Sequence, residues 1–224
     1  MSEVLDPLWL SVKVALSATL LLFAPAALAG LWLSRTRSRA KLLCETLCDL
    51  PLVLPPTAVG FALLSLLGRD GLLGKDRLPF DPDILFTWRA AVLASAVMSF
   101  PLVVRGTRLA FDRVDGRLER MGASLGYSRY EVARRITLPI AAPGLLASAL
   151  LGFSRALGEF GATALLAGNI EGETQTLALA LYDDIREGRT ERARWLLGVS
   201  VLVAFLAVIG VSRLQARAAR GEGR

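Results

Sequence analysis

The apolar residues of this sequence gather into uncharged blocks near 20 residues long, whereas a surface helix or strand would show periodic alternation. Four such blocks are residues 14–33, 50–68, 136–154 and 195–212. Each is close to the roughly 20 residues that a helix needs to cross about 30 Å of hydrocarbon. A fifth block, residues 84–104, contains one charge near its start, from where the Arg89 side chain can reach the interface.

These blocks predict an all-α membrane protein with five transmembrane helices in a single domain covering residues 1–224. The predicted spans are residues 12–33, 46–68, 84–104, 136–157 and 195–213. A shorter apolar stretch, residues 160–170, cannot cross alone and indicates a re-entrant piece, a half-span or the outer end of the fourth helix. A hydrophobic content of 54% and a mean hydropathy of +0.50 exclude an ordinary soluble domain.

The basic residues between the spans predict the orientation of the chain. Residues 34–45, 105–135 and 213–224 hold 16 Lys/Arg and 6 Asp/Glu, whereas residues 1–13, 69–83 and 171–194 hold 8 and 12. Because cytoplasmic loops carry the excess of Lys and Arg, the first set is expected in the cytoplasm. The N-terminus is then outside and the C-terminus inside. The net charge of +6 follows from this topology and does not indicate binding to nucleic acid.

The first span is expected to remain uncleaved. Its Ala27-Leu28-Ala29 sequence has the small-residue form of a cleavage site. The acidic residues Glu3 and Asp6 precede the apolar run, where a signal peptide would have a basic segment.

The second span contains three prolines and cannot be a regular helix. Pro55 and Pro56 release backbone carbonyl groups that lipid cannot satisfy, so this segment is expected to face protein or water. A packing kink and a pathway-lining element both fit. In the second case Thr57 is the polar side chain placed to contact a solute.

Two opposite charges follow the fourth span. Arg155 and Glu159 are four residues apart, so they share a helix face and can pair. Charges near membrane depth usually face the interior of a helix bundle. The segment up to Thr163 is therefore a candidate lining of that interior, and a purely structural ion pair is the alternative.

The long basic loop between the third and fourth spans has an amphipathic pattern over residues 112–135. Apolar positions alternate with charged ones, which predicts short helices joined by a bend at Gly126. Ser128 and Glu131 have the spacing of a capping box. A solvated helix pair and a docking surface for a cytoplasmic partner both remain open. The apolar positions are Leu118, Met121, Leu125, Tyr130, Val132 and Ile136.

The sequence offers little material for catalysis or metal binding. It has no His and only Cys44 and Cys48, which cannot close a zinc site alone. No phosphate-binding Gly-rich loop or nucleophile motif is present. The chain is therefore expected not to be an enzyme and to bind no cofactor or metal. A self-contained secondary transporter would need coupling-ion residues inside the bundle, and only Arg155 and Glu159 are candidates.

The cytoplasmic loop resembles the signature of permease subunits of binding-protein-dependent ABC importers. The sequence from Glu119 to Gly126 is Glu-Arg-Met-Gly-Ala-Ser-Leu-Gly, and nine residues later Ile-Thr-Leu-Pro begins at Ile136. The resemblance implies the type I ABC importer permease fold, with this loop as coupling helices that contact a cytoplasmic ATPase. The implied coupling residues are Glu119, Gly122, Ala123, Gly126, Ile136, Leu138 and Pro139.

Within that family the sequence most resembles the molybdate permeases. The supporting stretches are residues 50–57, 99–105, 157–163 and 169–176. Tungstate is a second possible anion, and sulfate and thiosulfate permeases are similar across the same length. The candidate pathway residues are Pro55, Pro56, Thr57, Arg155, Glu159 and Thr163.

The resemblance also implies an assembly in the cytoplasmic membrane. It consists of two copies of this chain, two ABC ATPase subunits that use ATP and Mg²⁺, and an extracytoplasmic binding protein that delivers molybdate. The pathway is expected between the two copies, with lipid outside them.

Overall fold

The computed structural model describes residues 2–36, 38–69, 71–73 and 84–221. Within these ranges every regular element is a helix. Most of the predicted outer loop at residues 69–83, Arg37 and residues 222–224 lie outside the described residues.

Ten α-helices and one π-helical turn follow one another along the described chain. They are α1 (Ser2–Arg35), α2 (Ala40–Val53), α3 (Pro56–Leu67), α4 (Trp88–Asp112), α5 (Gly116–Ser124), α6 (Arg129–Val132), the π turn (Ala133–Thr137), α7 (Leu138–Leu157), α8 (Gly161–Leu166), α9 (Leu177–Arg186) and α10 (Thr190–Gly221).

Helix α4 is the centre of the fold. It packs against α1, α2, α7 and α8, and most of its buried positions carry small side chains. Helix α1 faces it with Val14, Ala15, Ala18, Leu22 and Ala26, all buried. Lipid is as apolar as these side chains, so close packing between the helices has to hold them together.

Glycines bring α1 and α7 into direct contact with α4. A Cβ atom on Gly30 would overlap the Thr107 hydroxyl and lie 2.8 Å from the backbone nitrogen of Arg108. On the other side of α4, a Cβ on Gly106 would lie 2.5 Å from Ser148 Oγ. The fully buried Thr107 hydroxyl lies 3.1 Å from the Ala26 carbonyl oxygen, a hydrogen bond that joins α4 to α1.

The second span is broken between α2 and α3. The two helices meet at an angle of 109°, and Leu54 and Pro55 lie at the break in extended or turn conformation. Pro56 occupies the first turn of α3, where its missing N–H costs nothing. The irregularity expected from Pro55 and Pro56 is thus present, and it is a sharp bend rather than a mild kink.

Helix α2 is attached to α4 through charges. The Arg105 guanidinium donates to both carboxylate oxygens of Asp49, from Nε at 2.9 Å and from Nη2 at 2.7 Å. Arg108 pairs with Glu45 one turn away on α2. Helix α2 has no fully buried residue, so these ion pairs add to the contact that the partly buried Cys44 makes with the core.

The all-helical membrane fold expected from the apolar blocks is confirmed, although the element bounds differ. Four helices are long and apolar enough to cross a membrane, and the bent α2–α3 pair makes a fifth when it is counted as one span. The second span begins at Ala40, earlier than residue 46. The helix that contains the predicted fourth span begins earlier than residue 136 and runs without interruption from Arg129 to Leu157.

The short apolar stretch at residues 160–170 forms α8. This helix packs against α3, and the two glycines Gly60 and Gly161 allow the contact. The Leu166 carbonyl accepts a hydrogen bond from the Phe86 N–H, just before α4 begins. Helix α8 therefore lies beside α3 at the end of the bundle where α4 starts.

We expect Gly30→Ala to destabilise the protein, because its methyl group would be forced against the backbone of α4. Overpacking of this kind costs about 1–3 kcal/mol. Gly198→Ala in α10 is the matched control, since no atom lies within 4 Å of its Cβ position. The readout is the thermal midpoint of detergent-purified protein, measured by size-exclusion chromatography after heating. Equal midpoints for the two variants would contradict the close α1–α4 contact.

Candidate functional site

The predicted loop between the third and fourth spans folds as two short helices joined at Gly126. Asp115 caps α5 by accepting a 2.8 Å hydrogen bond from the Arg117 N–H. The helix ends when Tyr127 N–H donates to the Gly122 carbonyl at 3.1 Å, with Gly126 at a φ of 88°. This closure needs a left-handed residue, which glycine adopts without steric cost. The bend predicted at Gly126 is confirmed.

Helix α6 starts with the predicted capping box. The Glu131 N–H donates to Ser128 Oγ at 3.3 Å, and the Ser128 N–H donates to Glu131 Oε2 at 3.0 Å. From Arg129 the chain continues through the π turn directly into α7. Helix α6, the π turn and α7 thus form one continuous helical segment of 29 residues.

Gly122 and Ile136 hold α5 against the base of α7. A Cβ on Gly122 would lie 2.6 Å from Ile136 Cδ1, so a larger residue would push α5 away. The other predicted coupling residues, Ala123, Leu138 and Pro139, are exposed. The structure therefore divides the predicted set into packing residues and surface residues.

Glu119 lies at a junction of three elements. Its Oε1 accepts from Arg35 Nη2 at 2.6 Å and from Thr137 Oγ1 at 2.6 Å. Arg35 is the last residue of α1, and Thr137 ends the π turn before α7. The Glu119 side chain is 23% exposed, so it is largely committed to contacts within the chain. The sequence identified Glu119 but gave no signal for its two partners.

Apolar side chains of the loop project outward. Leu125 is 76% exposed, Tyr130 72% and Met121 61%, and Leu118 is exposed as well. We refer to these four residues as the apolar loop face. Isolated exposed apolar residues are common, but four within 13 positions of a short charged loop are typical of an interface. The predicted site did not include them, although the apolar pattern of the loop was the signal that could have identified them.

The packing of α7 on α4 places Arg155 beside the middle of α4. Gly144 packs on Ala110, Ser148 on Gly106 and Gly152 on Val103, so the two helices run antiparallel in a fixed register. Extending that register by one turn places Arg155 level with residues 99–100. These residues are at the middle of α4 (Trp88–Asp112).

Arg155 and Glu159 form the ion pair that their spacing predicts. Arg155 Nη1 lies 2.7 Å from Glu159 Oε2. The other carboxylate oxygen of Glu159 accepts a 3.0 Å hydrogen bond from the Ala162 N–H at the start of α8. Thr163 is fully buried, and its hydroxyl has no hydrogen-bond partner within the described chain.

Pro55, Pro56 and Thr57 lie exposed at the α2–α3 bend. A Cβ on Gly161 would lie 2.8 Å from Pro56 Cβ and 3.3 Å from the Thr57 nitrogen. The bend is thus next to the chain segment that carries Glu159 and Thr163. The structure brings all six candidate pathway residues into one region and keeps them apart from the loop residues.

A second buried charge cluster ties α9 to α10, and the sequence analysis did not identify it. The fully buried Asp184 carboxylate contacts Arg189 Nε at 2.7 Å and Arg192 Nε at 3.3 Å. The hydrogen bond to Asp184 raises the pKa of Arg189 above its usual value, so Arg189 stays charged. Within the described residues no three Cys, Asp or Glu side chains come together as a metal site would require.

Comparison with solved structures shows that the fold is shared with a chain of an ABC transporter. A chain of the MetNI methionine ABC transporter, described in inward-facing conformations, matches with a TM-score of 0.76 over 96% of both chains. The sequences are 17% identical, so this likeness concerns the fold alone.

Sequence comparison identifies much more similar relatives. The molybdenum transport system permease protein ModB of Escherichia coli (strain K12) is 41% identical over 222 residues, covering 96% of each chain. The sulfate transport system permease protein CysT of Salmonella typhimurium is 32% identical over 188 residues, covering 84% of this chain and 68% of its own. The family described as "binding-protein-dependent transport system inner membrane component" matches residues 26–220. The chain therefore belongs to this family of transport-system membrane subunits.

Proposed function

We propose that this chain forms the membrane pathway of an ATP-driven importer for molybdate, with tungstate as a second substrate. The observation that carries the proposal is the 41% identity to a molybdenum permease over 96% of both chains. The sulfate permease is a more distant relative at 32% identity. A self-contained secondary transporter is not supported, because the chain belongs to a family of membrane subunits in binding-protein-dependent systems.

The proposed assembly has two copies of this chain, two cytoplasmic ATPase subunits and an extracytoplasmic binding protein. ATP and Mg²⁺ are used by the ATPase subunits. The excess of Lys and Arg in the loop regions supports an orientation with the loop and the C-terminus in the cytoplasm and the N-terminus outside.

In this proposal the loop passes ATPase movement to the membrane helices. The apolar loop face supplies the contact surface, since its four side chains are exposed and surrounded by charges. Movement then reaches α7 through the unbroken helix from Arg129 to Leu157. It reaches α1 through the Arg35–Glu119 ion pair. Nucleotide binding would favour one of two arrangements of the helices and hydrolysis the other.

The substrate is tested with the permease and ATPase reconstituted in lipid vesicles. We expect ATP hydrolysis to rise when a binding protein loaded with molybdate or tungstate is added. The same preparation with sulfate-loaded binding protein serves as the control. Stimulation by sulfate alone would retain the importer architecture and reject the molybdate assignment.

A charge in the apolar loop face is expected to release the ATPase. Leu125→Asp places a carboxylate where an apolar contact is needed, and loss of a central apolar contact weakens binding by about 2 kcal/mol or more. Ile185→Asp is the matched control, because Ile185 on α9 is 65% exposed but lies far from the loop in the proposed orientation. The readout is co-purification of the ATPase with tagged permease. Retention of the ATPase by Leu125→Asp would exclude this face as the docking surface.

The Arg35–Glu119 contact is expected to affect coupling more than docking. Glu119→Gln and Arg35→Met should each lower the molybdate transported per ATP hydrolysed by about twofold to tenfold, typical of residues in a coupled network. The double variant should be no worse than either single variant, because both changes break one interaction. The ATPase should still co-purify. Additive losses in the double variant would show that the two residues act separately.

A further inference from the structure

In the Arg155–Glu159 ion pair, the arginine side chain is partly exposed and the carboxylate is buried. The two groups lie 2.7 Å apart, but the Glu159 side chain is 1% exposed and that of Arg155 is 28% exposed. Glu159 is fixed from both sides, because its second carboxylate oxygen accepts the Ala162 N–H. The guanidinium has Glu159 as its one ion-pair partner within the described residues. It carries five N–H donors in total, so most of them remain available.

The exposed side of Arg155 is not expected to face lipid. Its register places it beside the uncharged stretch of α4 between Arg89 and Arg105, where a charge in contact with hydrocarbon costs several kcal/mol. Charged groups at that depth face protein or a water-filled space. The neighbouring α2–α3 bend, with exposed Pro56 and Thr57, is an irregular backbone segment of the kind that lipid does not accommodate.

We propose that Arg155 is a transient binding site for a tetrahedral oxyanion at the middle of the pathway, and that buried Glu159 keeps this site weak. The inference rests on the proposed function, since it needs an anion that crosses between two copies of the chain. Two copies present two guanidinium groups, which match the two negative charges of a molybdate-like anion.

The Glu159 carboxylate weakens anion binding at Arg155 enough for the anion to be released. An uncompensated arginine in a low-dielectric space would attract a dianion strongly and hold it. A carboxylate 2.7 Å from the same guanidinium offsets much of that attraction without reaching the pathway, because it is buried. Conduction requires binding that is favourable enough for entry and weak enough for exit. The pair meets both conditions with one exposed and one hidden charge.

A purely structural ion pair predicts a different response to exchange of the two charges. Arg155→Glu combined with Glu159→Arg would restore the pairing of charges, although an arginine at position 159 cannot accept the Ala162 N–H. A structural pair would therefore recover part of the transport that Arg155→Met loses. In a binding site the exchange places a carboxylate at the exposed position, where it repels the anion. Transport by the exchanged pair above that of Arg155→Met would indicate a structural pair, and the amount of molybdate retained by the single variants decides when the exchange recovers nothing.

The test uses the complete complex with ATPase and loaded binding protein in vesicles. We expect Arg155→Lys to keep transport within about threefold of the wild-type rate, since the positive charge remains. Arg155→Met and the exchanged pair should both fall at least about tenfold, the effect of losing a charged contact in the membrane interior. Arg105 and Asp49 provide the matched control pair, and their exchange should retain transport.

A second readout addresses release directly. Purified permease–ATPase complex is incubated with radiolabelled molybdate without binding protein, and the retained anion is counted after rapid filtration. Glu159→Gln should retain more molybdate than the wild type and transport it more slowly, because the offsetting charge is removed. Arg155→Met should retain less.

An exchanged pair that transports better than Arg155→Met would overturn the proposal, as would a Glu159→Gln complex with unchanged retention. Should the exchanged pair fail to assemble, Arg155→Met and Arg155→Lys decide: equal transport by these two variants, in complexes that still hydrolyse ATP, rejects the site. If the wild type carries sulfate and not molybdate, the same variants are assayed with sulfate. That result would reject the substrate assignment while the anion site is still tested.

Discussion

The fold depends on the close approach of α4 to its neighbours. Lipid offers no hydrophobic driving force between helices, so the contact has to come from packing and a few hydrogen bonds. Gly30 and Gly106 remove the side chains that would separate α1 and α7 from α4, and Thr107 adds a hydrogen bond to Ala26. The same contacts fix the register of α7. That register determines where Arg155 lies, so the candidate pathway follows from the packing of small residues.

The loop between α4 and α7 is built as part of the helix bundle. Its second helix continues into α7 without a break, and Gly122 lets the first helix rest on Ile136. Glu119 adds a contact to the end of α1. In the proposed function the loop receives the ATPase movement, which requires a rigid connection to the helices that move. The loop is connected to α7 by a continuous helix and to α1 by an ion pair.

Local features were predictable from the sequence and relations between distant residues were not. Gly126, the Ser128–Glu131 cap and the Arg155–Glu159 spacing each depend on fewer than ten neighbouring residues, and each prediction agrees with the structure. The early start of α2 at Ala40 was missed because Glu45 was placed in the preceding loop, and its partner Arg108 lies 63 residues away. Glu119 and Arg35 are 84 residues apart in the sequence, so no local pattern predicts their contact.

The attachment of α2 to α4 depends on ionic strength, unlike the helix contacts in the rest of the bundle. Glycine-mediated contacts between helices do not respond to dissolved ions. The Arg105–Asp49 pair is partly open to solvent, with side-chain exposures of 60% and 27%, so mobile ions can screen it. The fold thus combines a core whose packing is insensitive to ionic strength with one helix, α2, whose attachment to α4 weakens as the salt concentration rises. Helix α2 leads into the bend beside the candidate pathway. A change in salt concentration can therefore affect the position of this bend by weakening the ion pair that holds α2.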